Sequence, residues 1–168
     1  MSVAPSVKYV KVGGSMVAKP VNVREAGTWT PVQNITAELY ITPDSGTYTI
    51  GSTVTIVVRE NSLTTAVNSL QATFTYPAGL LQYQSTDVTG TPFDTPAFQS
   101  SGGSGTVAIT LTSLGGSITG DNLVATVTFT VLGAGSATVA FDPSSGIARK
   151  TDSTNICNQM LGVVCTLQ

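Results

Sequence analysis

The chain has 168 residues, which is enough to bury the core of one ordinary domain without metal or disulfide cross-links. Only 10% of the residues are charged and the net charge is −2, so the composition indicates neither a disordered chain nor a basic nucleic-acid-binding surface. Thr, Ser, Gly and Val take the place of charged residues, as is typical of β-rich extracellular or virion proteins.

Residues 1–33 contain an internal repeat. Val-Lys-Val-Gly-Gly-Ser-Met at 10–16 recurs as Val-Arg-Glu-Ala-Gly-Thr-Trp at 23–29, and each copy predicts two short strands around a Gly turn. Hairpins of this size cannot bury their own apolar side chains. We therefore expect Tyr9, Met16 and Trp29 to find cover elsewhere, and we interpret residues 1–33 as a docking arm beside a main domain at 34–168. The repeat resembles short segments of tailed-bacteriophage virion proteins.

Charge is unevenly divided between these two parts. Residues 34–168 hold three basic and eight acidic residues, for a net charge of −5. Residues 1–33 hold four basic residues and one acidic residue, for a net charge of +3, and the basic ones are Lys8, Lys11, Lys19 and Arg24. A basic arm on an acidic body predicts docking onto an acidic neighbour, such as the body of another copy. The alternative is that these four basic side chains are simply solvated.

The main domain alternates apolar with polar residues in short segments separated by Gly, Pro and Asp turns. In the clearest segment Leu123, Ala125, Val127, Phe129 and Val131 point one way, and a turn at 133–135 leads to a second strand at 137–141. The same two-residue period predicts strands near 35–42, 53–58, 70–76, 80–83, 107–112 and 156–167. The pattern contains no amphipathic helix, and it predicts an all-β sandwich.

Several stretches of the main domain are similar to cohesin modules. They are Ile-Thr-Pro-x-Ser-Gly-x-Tyr-x-x-Gly at 41–51, Leu-Gln-Ala-Thr-Phe-Thr-Tyr-Pro at 70–77, and Gly-Asp-x-Leu-Val-Ala-x-Val-x-Phe at 120–129. The resemblance extends over about residues 35–156. It implies a cohesin-like, jelly-roll or Ig-like β-sandwich, related to certain carbohydrate-binding modules, that docks a protein partner through one sheet face.

The sequence offers no catalytic constellation. Without histidine, a Ser-His-Asp triad is excluded and a zinc site is not expected. We interpret the loop aspartates as turn-forming residues rather than as a carboxylate pair for hydrolysis; they are Asp87, Asp94, Asp121, Asp142 and Asp152. We expect no enzyme activity, no cofactor and no metal.

Three aromatic residues are candidate ligand contacts. Tyr40 lies on the outward phase of its strand, and Phe93 and Phe98 lie in the long loop at 85–104, where binding residues are common. Cys157 and Cys165 lie close together near the C-terminus. Either a disulfide that closes a terminal hairpin or two free thiols would fit this spacing.

These observations predict a non-enzymatic structural protein of a tailed-phage virion, either a capsid decoration or a tail or collar component. Residues 1–12 show no secretory signal peptide, and no apolar run is long enough to span a bilayer. We expect other virion proteins, further copies of the chain and a host surface glycan or protein as partners, and no nucleic acid or membrane. The alternative is a bacterial cohesin-type docking or carbohydrate-binding module, secreted or on the cell surface.

Overall fold

The computed structural model describes residues 9–12, 15–18, 22–25, 28–31, 37–99 and 104–168, with side chains from residue 37 onward except at 95–99. Within these ranges the regular elements are strands, as the two-residue periodicity predicts. No helix that could cross a membrane is found among these residues. The chain divides into two compact units, Met1–Ile35 and Thr36–Gln168.

The first unit contains two antiparallel strand pairs, one for each copy of the repeat. β1 (Tyr9–Val12) pairs with β2 (Ser15–Ala18), and β3 (Asn22–Glu25) pairs with β4 (Thr28–Pro31). The predicted docking residues Lys8 and Lys19 lie outside the described residues. The same holds for the side chains of the other five predicted docking residues, so their role stays a prediction; they are Tyr9, Lys11, Met16, Arg24 and Trp29.

The second unit is formed by twelve strands in its described part. They are β5 Glu38–Thr42, β6 Ser45–Tyr48, β7 Thr53–Asn61, β8 Val67–Thr75, β9 Leu81–Asp87, β10 Thr95–Gln99, β11 Thr106–Thr112, β12 Asp121–Val131, β13 Gly135–Phe141, β14 Gly146–Arg149, β15 Gln159–Leu161 and β16 Val163–Leu167.

These strands form two sheets. Sheet I has the order β10-β11-β8-β13-β16-β6, and β14 pairs with β8 beside β13; sheet II has the order β15-β5-β7-β12-β9. Most neighbours are antiparallel, but β16 pairs with β6 and β15 pairs with β5 in parallel. This architecture confirms the predicted β-sandwich.

The core lies between the inner faces of the two sheets. Along β7, Val54, Ile56 and Val58 are each at most 1% exposed, and the residues between them face outward. Phe129 on β12 is fully buried and packs against Tyr76 with ring centroids 4.9 Å apart. Burial of each such side chain contributes about 1.5–3 kcal/mol to stability, so alternation of this kind holds both sheets together.

The strand β12 departs from the predicted alternation at its first residues. Ala125 is fully buried as predicted, but Val124 is also fully buried and Leu123 is only half-buried. The cause is a register shift against β7 between Leu123 and Ala125, because such a bulge rotates the residues before it onto the other face. The inward position predicted for Leu123 is therefore wrong, whereas those of Val127, Phe129 and the following residues are confirmed.

Gly162 is the single residue between β15 in sheet II and β16 in sheet I. A Cβ atom at this position would collide with the carbonyl oxygen of Val139 and lie 3.2 Å from the Cα of Ala140. The chain therefore crosses between the sheets directly over the backbone of β13, and only glycine allows that close approach.

Candidate functional site

The outer side of sheet I carries a continuous surface of short, uncharged side chains, which we call the β8 face. It follows from the alternation along β8 and β11, whose buried residues Leu70, Phe74 and Ile109 face the core. The outward positions of β8, β11 and β14 make up the face; they are Ser69, Gln71, Thr73, Thr75, Thr106, Ala108, Thr110, Thr112 and Ala148. None of these side chains is ionisable. A partner can therefore approach this sheet closely without desolvating a charge.

Ser145 secures the centre of the β8 face. β13 and β14 run along the same edge of β8 but are separated by residues 142–145. The fully buried Ser145 hydroxyl fills this gap, since it accepts a hydrogen bond from the Thr73 amide at 3.0 Å and donates one to the Thr73 carbonyl at 2.8 Å. The Asp142 amide also donates to the Thr73 carbonyl, at 2.8 Å. The Ser145 side chain thus supplies the hydrogen bonds to β8 at the point where neither β13 nor β14 pairs with it.

The strand β10 extends sheet I beside β11. Phe98 lies at the register position opposite Thr110, one of the outward residues of β11, and an irregularity separates it from Pro96. The Phe98 side chain is outside the described residues. Its contact with a ligand therefore stays a prediction. The backbone position of Phe98 lies at the margin of the β8 face.

Tyr40 lies on the opposite sheet, where it belongs to a polar cluster. Its hydroxyl donates to the Asp121 carboxylate at 2.7 Å and accepts from Arg59 Nε at 3.0 Å, and the same Nε donates to Asp121 at 2.9 Å. Desolvation, followed by the hydrogen bond to Asp121, raises the pKa of Tyr40, and the hydrogen bond to Asp121 raises the pKa of Arg59. The sequence identified Tyr40 but not its partners, because β5, β7 and β12 come together only through the sheet register.

Phe93 is buried at 2% exposure, so the prediction that it offers an exposed ligand contact is wrong. The segment before it is tied to β12, since the Thr91 hydroxyl donates to the Leu123 carbonyl at 2.8 Å. The carboxylate of the next residue, Asp94, accepts a hydrogen bond from the Leu114 amide at 3.2 Å. These two attachments hold the segment on either side of Phe93, whose ring is part of the buried core.

The two cysteines are free. Cys165 is buried on β16, opposite Ala137 and Gly46, while the half-buried Cys157 thiol donates to the Gln159 carbonyl at 3.4 Å. Burial raises the pKa of both thiols. Of the two arrangements that the spacing allowed, the structure has the free thiols and not the disulfide.

Three loop aspartates serve as the turn residues that the sequence indicates. Asp87, Asp142 and Asp152 each accept a hydrogen bond from the amide two residues ahead, at 2.8, 2.8 and 3.0 Å. The Ser144 hydroxyl and then the amide bond lower the pKa of Asp142, and the amide bonds, followed by the hydroxyls of Thr89 and Thr154, lower the pKa of Asp87 and of Asp152. Among the side chains that the structure describes, no three His, Cys, Asp or Glu residues come together as a metal-binding group.

Comparison with known proteins agrees with this architecture. The cohesin domain family matches residues 37–160. The cohesin CaCohA2 of Clostridium acetobutylicum is 19% identical with a TM-score of 0.67, and the match covers 81% of this chain and 93% of that one. The sixth cohesin of Acetivibrio cellulolyticus scaffoldin B, solved in complex with a Cel5 dockerin, has 19% identity and a TM-score of 0.67 over 79% of this chain and 99% of that one.

A third similar structure comes from an archaeon. The non-cellulosomal cohesin of Archaeoglobus fulgidus has 15% identity and a TM-score of 0.62 over 79% of this chain and 91% of that one. At these identities the structural likeness establishes a shared fold. No curated protein matches the chain. Since the family match extends over 124 of the 168 residues, from 37 to 160, this chain belongs to the cohesin domain family.

Proposed function

We propose that this chain is a non-enzymatic docking module that binds a dockerin-type protein partner through the β8 face. The family match over residues 37–160 carries the proposal. It is supported by the cohesin of Acetivibrio cellulolyticus, which was solved in complex with a dockerin. We expect the module to act outside the cell, either secreted or at the cell surface, where β-rich proteins with few charged residues are common.

The β8 face suits this role because of its chemistry. Apart from Gln71, the face consists of Ser, Thr and Ala side chains, which lose little rotamer freedom when a partner covers them, so association there orders few flexible groups. Hydroxyl groups on Thr73 and Thr110 can donate to or accept from a partner. The paired strands beneath them present a rigid surface, which favours binding without rearrangement.

The proposal is tested by isothermal titration of the full chain with a panel of dockerin modules. Thr73→Arg places a long charged side chain at the centre of the β8 face, and we expect it to weaken binding by about tenfold or more. Thr128→Arg is the matched control, because Thr128 faces outward from β12, an interior strand of sheet II. Equal affinity of the two variants would place the contact elsewhere, and binding to a glycan array with no dockerin binding would favour the carbohydrate-binding alternative.

The virion role predicted from the N-terminal repeat is not the function that we propose. The three similar structures named above are cohesins, and support for a phage particle remains confined to the short repeat. Docking by the arm and a homo-oligomeric state stay predictions. They are tested together by the solution mass of the full chain and of Trp29→Ala, since an arm that binds another copy would give a multimer that the substitution dissociates.

A further inference from the structure

A buried glutamate lies at the end of β7. The alternation that buries Val54, Ile56 and Val58 also turns Glu60 toward the interior, where its exposure is 0%. Its strand neighbours are Leu39 on β5 and Asn122 on β12. Glutamate is almost never fully buried unless it is paired with a cation, so this position requires an explanation.

The Glu60 carboxyl group is satisfied on one side only. Its Oε1 accepts a hydrogen bond from Asn122 Nδ2 at 2.6 Å, and the same amide nitrogen lies 3.1 Å from the Thr119 carbonyl and 3.3 Å from the Gly120 carbonyl. Its Oε2 has no hydrogen-bond partner and no contact with solvent. The hydroxyl of Ser62, which is fully buried, is in the same condition.

The residues around this pair close one end of the sandwich. The Ser62 amide donates to the Gly120 carbonyl at 2.9 Å, and the Gly120 amide donates to the Leu63 carbonyl at 2.8 Å. These reciprocal bonds join the turn after β7 to the turn before β12. Glu60 lies directly beneath them, because Asn122 connects its carboxyl group to the Gly120 carbonyl.

A proton gives the Glu60 carboxyl group a donor that its ionised form lacks. An ionised carboxylate can only accept hydrogen bonds, whereas a protonated one donates from the oxygen that holds the proton. With the proton on Oε2, Glu60 can donate to the oxygen of Ser62, two residues farther along the chain, while Oε1 still accepts from Asn122. A carboxylate buried without a cation costs far more free energy than the neutral acid, and Glu60 is fully buried while the neighbouring Arg59 is paired with Asp121, so burial favours the protonated form.

The electrostatic surroundings also favour the neutral form. Burial raises the pKa of Glu60 from 4.5 to about 7, against the opposing hydrogen bond from Asn122, and the charge of Asp121 raises it further. The other facing titratable group is the Cys157 thiol, whose own pKa is raised by burial and also by Glu60 and Glu38. Arg59 is engaged by Asp121 on the outer face of the sheet.

We propose that Glu60 carries a proton that bridges its Oε2 to the Ser62 hydroxyl, and that loss of this proton loosens the two turns at 62–63 and 119–120. This end of the sandwich is then ordered in mildly acidic solution and more open in alkaline solution. Arg59 and Asp121 precede Glu60 and Asn122 on the same two strands, so opening also reaches the surface cluster around Tyr40. The proposal is independent of the docking function.

Amide hydrogen exchange of the full chain tests the switch. We expect protection at the Ser62 and Gly120 amides to fall by about tenfold or more between pH 6 and pH 8.5, after correction for intrinsic exchange. The Gly51 amide, which donates to the Val131 carbonyl at the other end of the sandwich, is the internal reference. Glu60→Gln supplies a permanent donor and should abolish the change. Glu38→Gln, at a surface carboxylate, should keep it.

A carbon-13 titration of the Glu60 carboxyl gives a second test that does not require the glutamine variant to fold. In Ser62→Ala the proposed acceptor is gone, so the midpoint should fall below that of the unmodified chain. If the Ser62 hydroxyl instead donates to an ionised carboxylate, the same substitution raises the midpoint, and the proposal is overturned. A midpoint near 4.5 in the unmodified chain, or protection that does not change with pH, would overturn it as well.

Discussion

Replacement of Ser145 by alanine tests whether one hydroxyl holds the centre of the β8 face together. The substitution removes both hydrogen bonds between the Ser145 side chain and the Thr73 backbone. The Thr73 carbonyl keeps its bond from the Asp142 amide. The Thr73 amide, in contrast, loses the Ser145 hydroxyl, which accepts its hydrogen bond in the structure.

The expected loss follows from that one orphaned amide. Leaving a buried backbone donor unsatisfied costs about 1–3 kcal/mol, and Ser145 is fully buried, so water has little access to replace the hydroxyl. We expect the free energy of unfolding to fall by about 2 kcal/mol. For a domain of this size such a loss corresponds to a fall in Tm of about 5–10 °C.

Urea unfolding of the full chain measures the effect, and Ser144→Ala is the matched control. Ser144 is exposed, and the bond from its backbone amide to Asp142 remains when the side chain is replaced. Its replacement should change stability by no more than about 0.5 kcal/mol. If the two variants were equally stable, or if exchange of the Thr73 amide were unchanged in Ser145→Ala, the hydroxyl would not be part of the ladder.

The remaining predictions concern other positions of the sandwich. Gly162→Ala should destabilise the fold by about 1–3 kcal/mol or more because its Cβ meets the backbone of β13, while Gly115→Ala, with no atom within 4 Å of its Cβ, should be nearly neutral; urea unfolding compares them. The raised pKa of Glu60 means that the folded state holds the proton more tightly than the unfolded chain does. The stability that this group contributes, measured over a pH series as the difference in unfolding free energy between the unmodified chain and Glu60→Gln, should be complete below about pH 4.5 and decline until about pH 7, by up to about 3 kcal/mol; a difference that does not change with pH would contradict this. Phe93→Ala should cost about 3–5 kcal/mol in the same assay, and a near-neutral result would contradict its place in the core. Tyr40→Phe removes a hydroxyl from a partly exposed cluster and should cost less than about 1 kcal/mol, so a larger loss would indicate a buried network.

The two-residue periodicity predicted the strands because the alternation of apolar and polar residues within one strand shows which of its side chains face the core. Val54, Ile56 and Val58 alternate with outward residues in the sequence and in the structure, and no knowledge of the partner strand was needed. The prediction failed where pairing changed the phase. At Leu123 the sequence continues to alternate, but the bulge against β7 rotates the strand, and a bulge is a property of two strands together.

The residues that sequence reasoning missed or misplaced belong to segments that read as turns or loops. Phe93 lies between proline and aspartate and was expected at the surface, but contacts with β12 and with Leu114 close its loop inward. Ser145 lies in a run of Asp, Pro, Ser and Gly that predicts only a turn. Its partner Thr73 lies 72 residues away. Such contacts depend on the sheet order, which local composition does not encode.

The two outer faces of the sandwich cannot be distinguished by composition, since threonine covers both. Their charges distinguish them once the register is known. A partner on the outer face of sheet II would have to cover or break the Arg59–Asp121 pair, whose side chains are 30% and 47% exposed. Burial of an ion pair removes hydration that the attraction between the charges often does not replace. On the β8 face no ionisable side chain has to be covered. A docking partner therefore gains more from sheet I, even though both sheets present the same hydroxyl groups.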